Sequence, residues 1–532
     1  MDSSVQVAAT SPWQPLRQKV FRWLWLASIA SNIGTWMHEV GAGWLMTSLS
    51  ASPLAVALVQ VAGALPIFLL ALPAGALADI VDKRRHLLAV QLWMAATASL
   101  LALLTLNGAM TVNLLLLLTF AMGIGTALMM PAWSALVPEL VGREALPAAV
   151  ALSSLGINVA RAIGPALAGI LVSISGPWLT FAMNALSFFA VIGALLAWQR
   201  TPQVSLLPAE RLFGALRAGV RYTRSARPLQ AVLVRTAAFF LGASASMALL
   251  PILVRQELAG TALDYGILLG CVGLGAVAGA VLLPRLRSRC SADLILVAAS
   301  LTYAVVLLGL AWLRAFVWLA PLMLLSGAAW IAVLSSLQLA AQTSVPAWVR
   351  ARALAVYILV FFGSSALGGI AWGALANAHS LSAAFSAGAA LLVVGSLSRF
   401  WFALPATAAD DLAPSLHWPV PILDQALDRE RGPVLVTLEY RIASQDAAAF
   451  RQAMVAVRHM RRRNGAFSWA LLQDSEDPSL WQELFFDESW LEHLRHHGRV
   501  TRAEHSIEAA ARRYQDPAVP IRIRHLLAAP RR

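Results

Sequence analysis

Gly75-Ala76-Leu77-Ala78-Asp79-Ile80-Val81-Asp82-Lys83-Arg84-Arg85 is the stretch on which the fold turns. A run without a charge precedes it from Leu54, and a second apolar run opens at Leu87. The first run exceeds the length of about 20 residues that crosses a bilayer. An apolar helix therefore stops at the acidic and basic side chains of this stretch, and another starts beyond it. Lys and Arg beside a membrane segment favour the cytoplasmic side. The turn thus sets one short loop inside the cell and orients both neighbours.

Working outward, the whole chain shares this character. Its 532 residues are 59% hydrophobic and 13% charged, with a mean hydropathy of +0.69. A soluble domain carries about 25% charged residues, so the chain reads as a polytopic membrane protein. A formal net charge of +13 could suggest a nucleic-acid partner, but the basic residues sit mostly in short loops between apolar runs. Orientation and anionic membrane lipid account for them, and no nucleic acid is expected. Cys271 and Cys290 imply no disulfide framework. The first apolar stretch, Val20 to Leu49, leads into further spans and reads as a retained helix rather than a cleaved leader.

Spans of about 20 residues fall at 20–48, 54–79, 86–106, 112–137, 147–174, 178–198, 231–254, 265–284, 292–313, 316–343, 352–376 and 381–404, giving an all-α region of twelve helices. Loops after even-numbered spans hold Lys83, Arg84, Arg85, Arg143, Arg285, Arg287, Arg289, Arg350 and Arg352, whereas those after odd-numbered spans have almost none. This asymmetry places both termini in the cytoplasm. Residues 1–16 read as disordered, 17–198 as one six-helix bundle, 199–230 as a cytoplasmic central loop and 231–404 as a second bundle. Val137-Pro138-x-x-Val141 with Ala145-Leu146 recurs as Val345-Pro346-x-x-Val349 with Ala353-Leu354, a constant shift of 208 residues, as parallel repeats would give.

After Leu404 the composition changes. Residues 405–432 read as a linker and 433–527 as a cytoplasmic α+β domain. Val434, Val436, Leu438, Tyr440 and Ile442 alternate with polar residues as in a half-buried strand. A helix follows over 446–464, strands near Phe467–Leu471 and Leu480–Phe486, a helical region over Ser489–Tyr514, and a closing strand over Ile521–Leu527. The β-α-β-β-α-β order resembles a ferredoxin-like fold, and the domain resembles the antibiotic-biosynthesis monooxygenase type.

In the fifth span, Gly156, Ala160, Gly164 and Ala168 recur every four residues, leaving one face smooth enough for close helix packing. Arg161 lies among them. A charge at mid-bilayer costs about 2.5–3.5 kcal/mol on insertion scales, so it should face a cavity or a partner; a structural latch and a transport role explain it equally well. Glu39 on the first span is the candidate carboxylate, since it lies about 25 Å along the helix from Arg22 and Arg161 about 20 Å from the start of its own span. With His38 it could carry a coupling proton; alternatively both sit in water near the outer interface. Asn32, Trp36, Asn158 and Asn184 could line a cavity, although packing explains each alone. Arg255, Glu257, Asp264 and Arg314 fall at outer helix ends and read as solvated charges. In the soluble domain His493 and His497 have a helical metal-ligand spacing, but no Glu follows His493 and no further ligand set is evident, so they read as a solvated face, with no metal or cofactor expected. There is no Gly-x-x-x-x-Gly-Lys-Ser/Thr loop for ATP.

Gly75, Asp79, Lys83, Arg84 and Arg85 resemble the cytoplasmic signature between the second and third helices of the major facilitator superfamily, from which Ile80 and Asp82 depart. The resemblance implies a latch between two helix bundles. Gly164 and Pro165 with Gly169 resemble the fifth-helix motif of drug/proton antiporters. Asn32-Ile33-Gly34-Thr35-Trp36-Met37, Gly43-Trp44-Leu45-Met46, Asn158-x-x-Arg161, Gly432-Pro433-Val434, Arg461-Arg462-Arg463-Asn464-Gly465-Ala466 and Ser489-Trp490-Leu491-Glu492-His493-Leu494-Arg495 together resemble the transmembrane secretion effector type, related to siderophore and drug exporters. This implies a secondary transporter, not an enzyme, in a bacterial plasma membrane. It would export a small molecule against protons by alternating access. Import or facilitated diffusion, and a membrane-anchored enzyme or interaction module, are the alternatives. Small α+β barrels of this kind commonly pair, which implies self-association through the C-terminal domain.

Overall fold

Polar residues between the apolar runs start the helices. The side chains of Ser52, Asp82, Thr111, Ser291 and Ser380 each accept a hydrogen bond from a backbone N–H three residues on, while Thr261 and Asp264 cap one another's helix end reciprocally. These caps satisfy N–H groups that a helix end leaves unpaired. The requirement is strict where no water is at hand. The computed structural model describes residues 13–141, 145–198, 222–224, 226–346, 348–404, 412, 415, 418 and 431–529. Residues 1–12, Arg143, Arg200, Arg211, Arg217, Arg221, most of the expected linker and the side chain of Asp79 lie outside the described residues.

The helical part comprises α1 (Lys19–Leu49), α2 (Pro53–Ile80), α3 (Lys83–Leu106), α4 (Val112–Leu140), α5 (Leu146–Ser175), α6 (Trp178–Ala197), α7 (Arg227–Ile252), α8 (Ala262–Arg287), α9 (Ala292–Trp312), α10 (Phe316–Thr343), α11 (Arg350–Ala378) and α12 (Leu381–Ser396). Among the described residues eleven helices are long and apolar enough to cross a membrane. The remaining helix, α1, is long enough but carries Lys19, Arg22, His38 and Glu39 with several Ser and Trp residues. Gln14–Arg17 forms a 3-10 turn, so the order begins before the expected end of the disordered segment. The chain forms two compact units. One holds 1–209, 233–337 and 357–403; the other gathers 210–232, 338–356 and 404–532.

Within the first unit the pairings of the two halves repeat. In the first half α1 packs on α5 and α6, α2 on α4, and α3 on α6. In the second, Gly368 lies against α7, Gly388 and Gly395 of α12 lie against α7, Gly279 of α8 lies against α10, and α9 packs on α12. Each second-half pair is the first-half pair displaced by six helices. The contacts across the halves obey the same relation: α5 runs along α8, and α2 meets α11, where Gly363 faces Phe68 and Gly373 faces Leu54 and Ala57. Exchanging the halves converts one seam into the other, as a pseudo-twofold axis between parallel repeats requires.

In the second unit, β1 (Val434–Arg441), β2 (Ser468–Gln473), β3 (Leu480–Asp487) and β4 (Arg522–Leu527) form an antiparallel sheet of order β2-β3-β1-β4. Helices α13 (Ala447–Asn464), α14 (Trp490–Arg499) and α15 (Arg502–Arg512) complete a β-α-β-β-α-α-β chain order. The expected single helical region 489–514 is thus two helices. Thr501 and Glu504 form a capping box that starts the second. Val436, Leu438, Tyr440, Phe450, Met454, Val457 and Phe485 form the core.

A buried charge network closes that core. Arg461, 1% exposed, meets Glu483 at 2.9 Å and Glu508 at 2.5 Å. Tyr440 and Trp469 also donate to Glu483, and Trp418 to Glu508. Burial alone would lower the Arg461 guanidinium's affinity for its proton, but the two carboxylates hold it well above its ordinary value. Also within this unit, the Arg499 guanidinium lies 4.5 Å over the Trp348 ring, which Tyr222 meets edge-on.

Candidate functional site

The small-residue face of α5 is what lets the halves of the helical unit approach. A side chain at Gly164 would meet Cβ of Trp36 on α1 at 2.6 Å, and one at Gly169 would meet the carbonyl of Ala262 on α8 at 2.9 Å. The Pro165 carbonyl in turn lies against Gly266. One helix therefore contacts α1 on one side and the second half on the other, through residues that carry no side chain at the contacts.

Arg161 sits at this junction. Its guanidinium lies 5.5 Å from the centre of the Trp36 ring, a cation–π arrangement. Its Nε and Nη1 are buried and have no hydrogen-bond partner. Glu39 is exposed and shares a face of α1 with Asn32, Trp36 and Gly43, at helical spacings of three and four residues. That face meets α5 at Gly164 and α8 at Tyr265, whose hydroxyl would lie 3.3 Å from a side-chain carbon at Gly43. Glu39 is therefore turned into the interior between α1, α5 and α8. It interacts electrostatically with Arg161 and Tyr265, and the Arg161 guanidinium adds the Trp36 face to that charge interaction.

His38 departs further from the expectation of an outer, watered position. It is 5% exposed, packs edge-on against Phe181 at 5.2 Å, and neither ring nitrogen has a partner. Asn32 and Asn158 each donate to a backbone carbonyl one turn earlier, of Ser28 and Ser154. Asn184 is fully buried beside Gly34.

The basic end of the Gly75–Arg85 stretch ties α3 to its own half. Lys83 pairs with Glu139 of α4 at 2.6 Å. Arg84 donates to the carbonyls of Leu195 and Leu196 at the end of α6, where carbonyls lack helix partners. Arg85 is exposed, and its N–H is capped by Asp82. Gly75 has open space around it.

At the opposite ends of these helices Arg255 stacks on Trp44 and donates to Thr47, Trp44 stacks on Tyr265, and Glu257 pairs with Arg314. The outer charges expected to be solvated are thus partnered. A cavity of about 570 Å³ is lined there by Trp44, Val172, Ser173, Arg255, Thr261 and Leu263. The sequence reading quoted Trp44 only within a family resemblance and missed Tyr265, whose signal was an aromatic residue on an interior helix face.

The soluble domain holds the largest correction. His493 is not on a solvated face: it is fully buried, and its Nδ1 lies 2.9 Å from Asp487. His496 is buried as well and meets the same carboxylate at 3.2 Å. Burial alone would raise the Asp487 carboxyl, but the two imidazoles bring it well below the usual carboxylate range. His497 is pushed down to about 3 and His525 to about 4, by burial and then by the neighbouring imidazoles.

The model of the transmembrane secretion effector family matches residues 10–532. The chain belongs to that family, within the major facilitator superfamily. It is 23% identical over 290 residues to the staphyloferrin A transporter of Staphylococcus aureus, covering 54% of this chain and 72% of that one. It is 26% identical over 404 residues to the multidrug efflux pump Tap of Mycolicibacterium fortuitum, covering 73% and 96%. Macrolide efflux protein A of Streptococcus pyogenes matches at 25% over 33% of this chain, which spans only 42% of that relative's length. A crystal structure of a POT family transporter in complex with a thioalcohol-conjugated peptide superposes with a TM-score of 0.60 at 15% identity, over 72% of this chain and 96% of that one. The family member described here is accordingly a multi-pass membrane transporter of the major facilitator type, and its relatives are transporters rather than enzymes.

Proposed function

We propose that the protein exports a small organic molecule across a bacterial plasma membrane by alternating access coupled to protons, with its termini in the cytoplasm and α1 as a twelfth span. The observation that carries this reading is the junction of Arg161, Trp36 and Glu39 where α5 meets both α1 and α8. Among the described residues Nε and Nη1 of Arg161 have no hydrogen-bond partner, and Glu39 acts on the same guanidinium by charge. A carboxylate whose distance from an arginine and from water changes between two states can bind a proton in one and release it in the other. Export is favoured over import by the efflux relatives.

The seam supplies the moving part. Close backbone contacts at Gly169 and Gly266 allow the halves to rock against each other around a central site, while Lys83 and Arg84 keep the first half together as one body.

Everted vesicles with an acidified lumen, so that protons run outward as substrate enters, test the reading with a fluorescent cationic dye, a macrolide and a hydroxycarboxylate iron chelator. Gradient-driven accumulation of at least one, with its proton dependence abolished in Glu39→Gln, is expected. Accumulation that ignores the gradient, or an unchanged dependence in Glu39→Gln, would overturn proton coupling through Glu39. Uptake seen only in right-side-out vesicles would replace export by import.

A further inference from the structure

Three histidines of the α+β domain converge from two elements that the sequence separates. His493 and His497 lie one turn apart on α14, and His525 comes from β4, where it pairs with Val436 of β1. One ligand nitrogen from each falls within 4.8 Å of the other two. The Nε2 atoms of His493 and His497 are 3.1 Å apart. Ligand nitrogens on a tetrahedral metal with bonds of about 2.0–2.1 Å stand about 3.3 Å from each other, so this pair is already near coordination spacing. His525 is half-buried, with its ring centre 4.8 Å from that of His493 and 6.4 Å from that of His497.

Asp487 fixes the chemistry of the first ligand. A carboxylate only accepts, so the contact at 2.9 Å places the proton of His493 on Nδ1 and leaves the Nε2 lone pair facing His497 and His525. A carboxylate behind a ligating histidine orients the ring and raises its basicity. His496, whose Nδ1 lies 3.2 and 3.3 Å from the two oxygens of Asp487, lies outside the trio. Trp490 packs against both His493 and His525, and Trp418 against His497. The partial exposure of His497 and His525 leaves one side open to solvent.

We propose that His493, His497 and His525 form a binding site for a divalent late first-row transition metal, with Asp487 as the positioning residue behind His493 and a solvent molecule in the fourth position. An all-imidazole set suits zinc, cobalt, nickel or copper and disfavours magnesium and calcium. Three histidines with one open position match the pattern of exchangeable rather than closed structural sites. The competing account of the same geometry is a plain N–H···N bond between His493 and His497, which would confer no metal affinity.

The test uses the full-length protein in detergent, purified with a histidine-free tag and stripped with a chelator. Zinc is titrated against a chromophoric chelator, and cobalt is followed by its visible absorption. One zinc per chain is expected, with an intense tetrahedral cobalt spectrum. His497→Ala and His525→Ala should weaken zinc at least about 100-fold, and Asp487→Asn about 10–100-fold with an altered cobalt spectrum. His459→Ala, at an exposed position of α13, should change neither. X-ray absorption of the zinc-loaded wild type keeps the question decidable should a variant misfold: three imidazole nitrogens at about 2.0–2.1 Å support the site. Fewer than three imidazoles, no stoichiometric zinc, or equal affinity in folded His497→Ala and His525→Ala would overturn it.

Discussion

Arg161 of α5 and Arg461 of α13 are both arginines set among apolar neighbours, yet their surroundings differ in kind. Arg461 is saturated: two carboxylates, two aromatic faces and a fully buried position. Arg161 has one aromatic face and two buried nitrogens without partners. A charge that is fully paired has nothing further to do and holds structure together. A charge left short of partners in an apolar setting is a standing cost, which a structure bears where another state or a ligand supplies the missing contacts. The comparison separates scaffold from mechanism more sharply than burial alone, since both residues are withdrawn from bulk water.

The largest effect should come from breaking the saturated case. Replacing Arg461 by Met strands Glu483 and Glu508 in the core, and removing one partner from a buried charge network costs about 3–5 kcal/mol. Hydrogen exchange of the β1 and β3 amides in the full-length protein should accelerate accordingly, with the helical unit unchanged. Arg161→Met should do the reverse: the helices should exchange as before, because an unpaired charge is removed, while transport falls by about 100-fold, or ~2.7 kcal/mol in transition-state terms. If Arg161→Met loosens the helices as much as Arg461→Met loosens the sheet, the distinction between the two arginines fails.

The seam offers an intermediate case. Gly169→Leu forces a side chain against the Ala262 carbonyl and Gly266, and overpacking of this sort costs about 1–3 kcal/mol. If the approach of α5 to α8 belongs to only one state of the transport cycle, the substitution should shift a spin-label distance between the halves and slow turnover several-fold without lowering melting temperature by more than a few degrees. Unchanged distances would show that the seam is not a moving contact.

How far the sequence foretold these features depends on the range over which each is determined. The helices were legible because apolar run length and the Ser, Thr and Asp residues between runs are local signals, and all twelve expected spans overlap helices whose starts lie within four residues of the forecast. The small-residue face of α5 was legible for the same reason. The aromatic contact of Arg161 with Trp36 was not, because matching depths along two helices say nothing about side-chain direction. The network around Arg461 was hidden in what looked like a basic helix end, since Glu483 and Glu508 arrive from β3 and α15. The histidines were misread although a local sign existed: His493 and His497 share an α14 face with Trp490 and Leu494, which marks that face as buried. His525 could join them only through the register of β4 on β1.

The smallest predicted effect concerns that histidine face. His497 and His525 are held at about 3 and about 4 in the fold, against about 6.5 in an unfolded chain. Below pH 6.5 the unfolded chain therefore binds protons that the folded domain refuses. Stability rises with pH wherever the unfolded state binds more protons, so in the presence of chelator the domain should lose stability progressively as pH falls from about 6.5 towards 4, and should be insensitive above that window. His497→Gln and His525→Gln should each flatten the profile, measured by hydrogen exchange of β4 and β1 across pH 4–8 after correction for the intrinsic rate. Asp487 acts in a lower range: its depressed carboxyl contributes stability above the ordinary carboxylate value of about 3.9, which is lost on acidification through that value and below. A profile that falls only below pH 4 would assign acid sensitivity to Asp487 alone and leave the paired imidazoles as neutral packing, whereas a fall beginning near 6.5 that both Gln variants remove would show that the domain keeps two lone pairs available at neutral pH, as Arg161 keeps its donors.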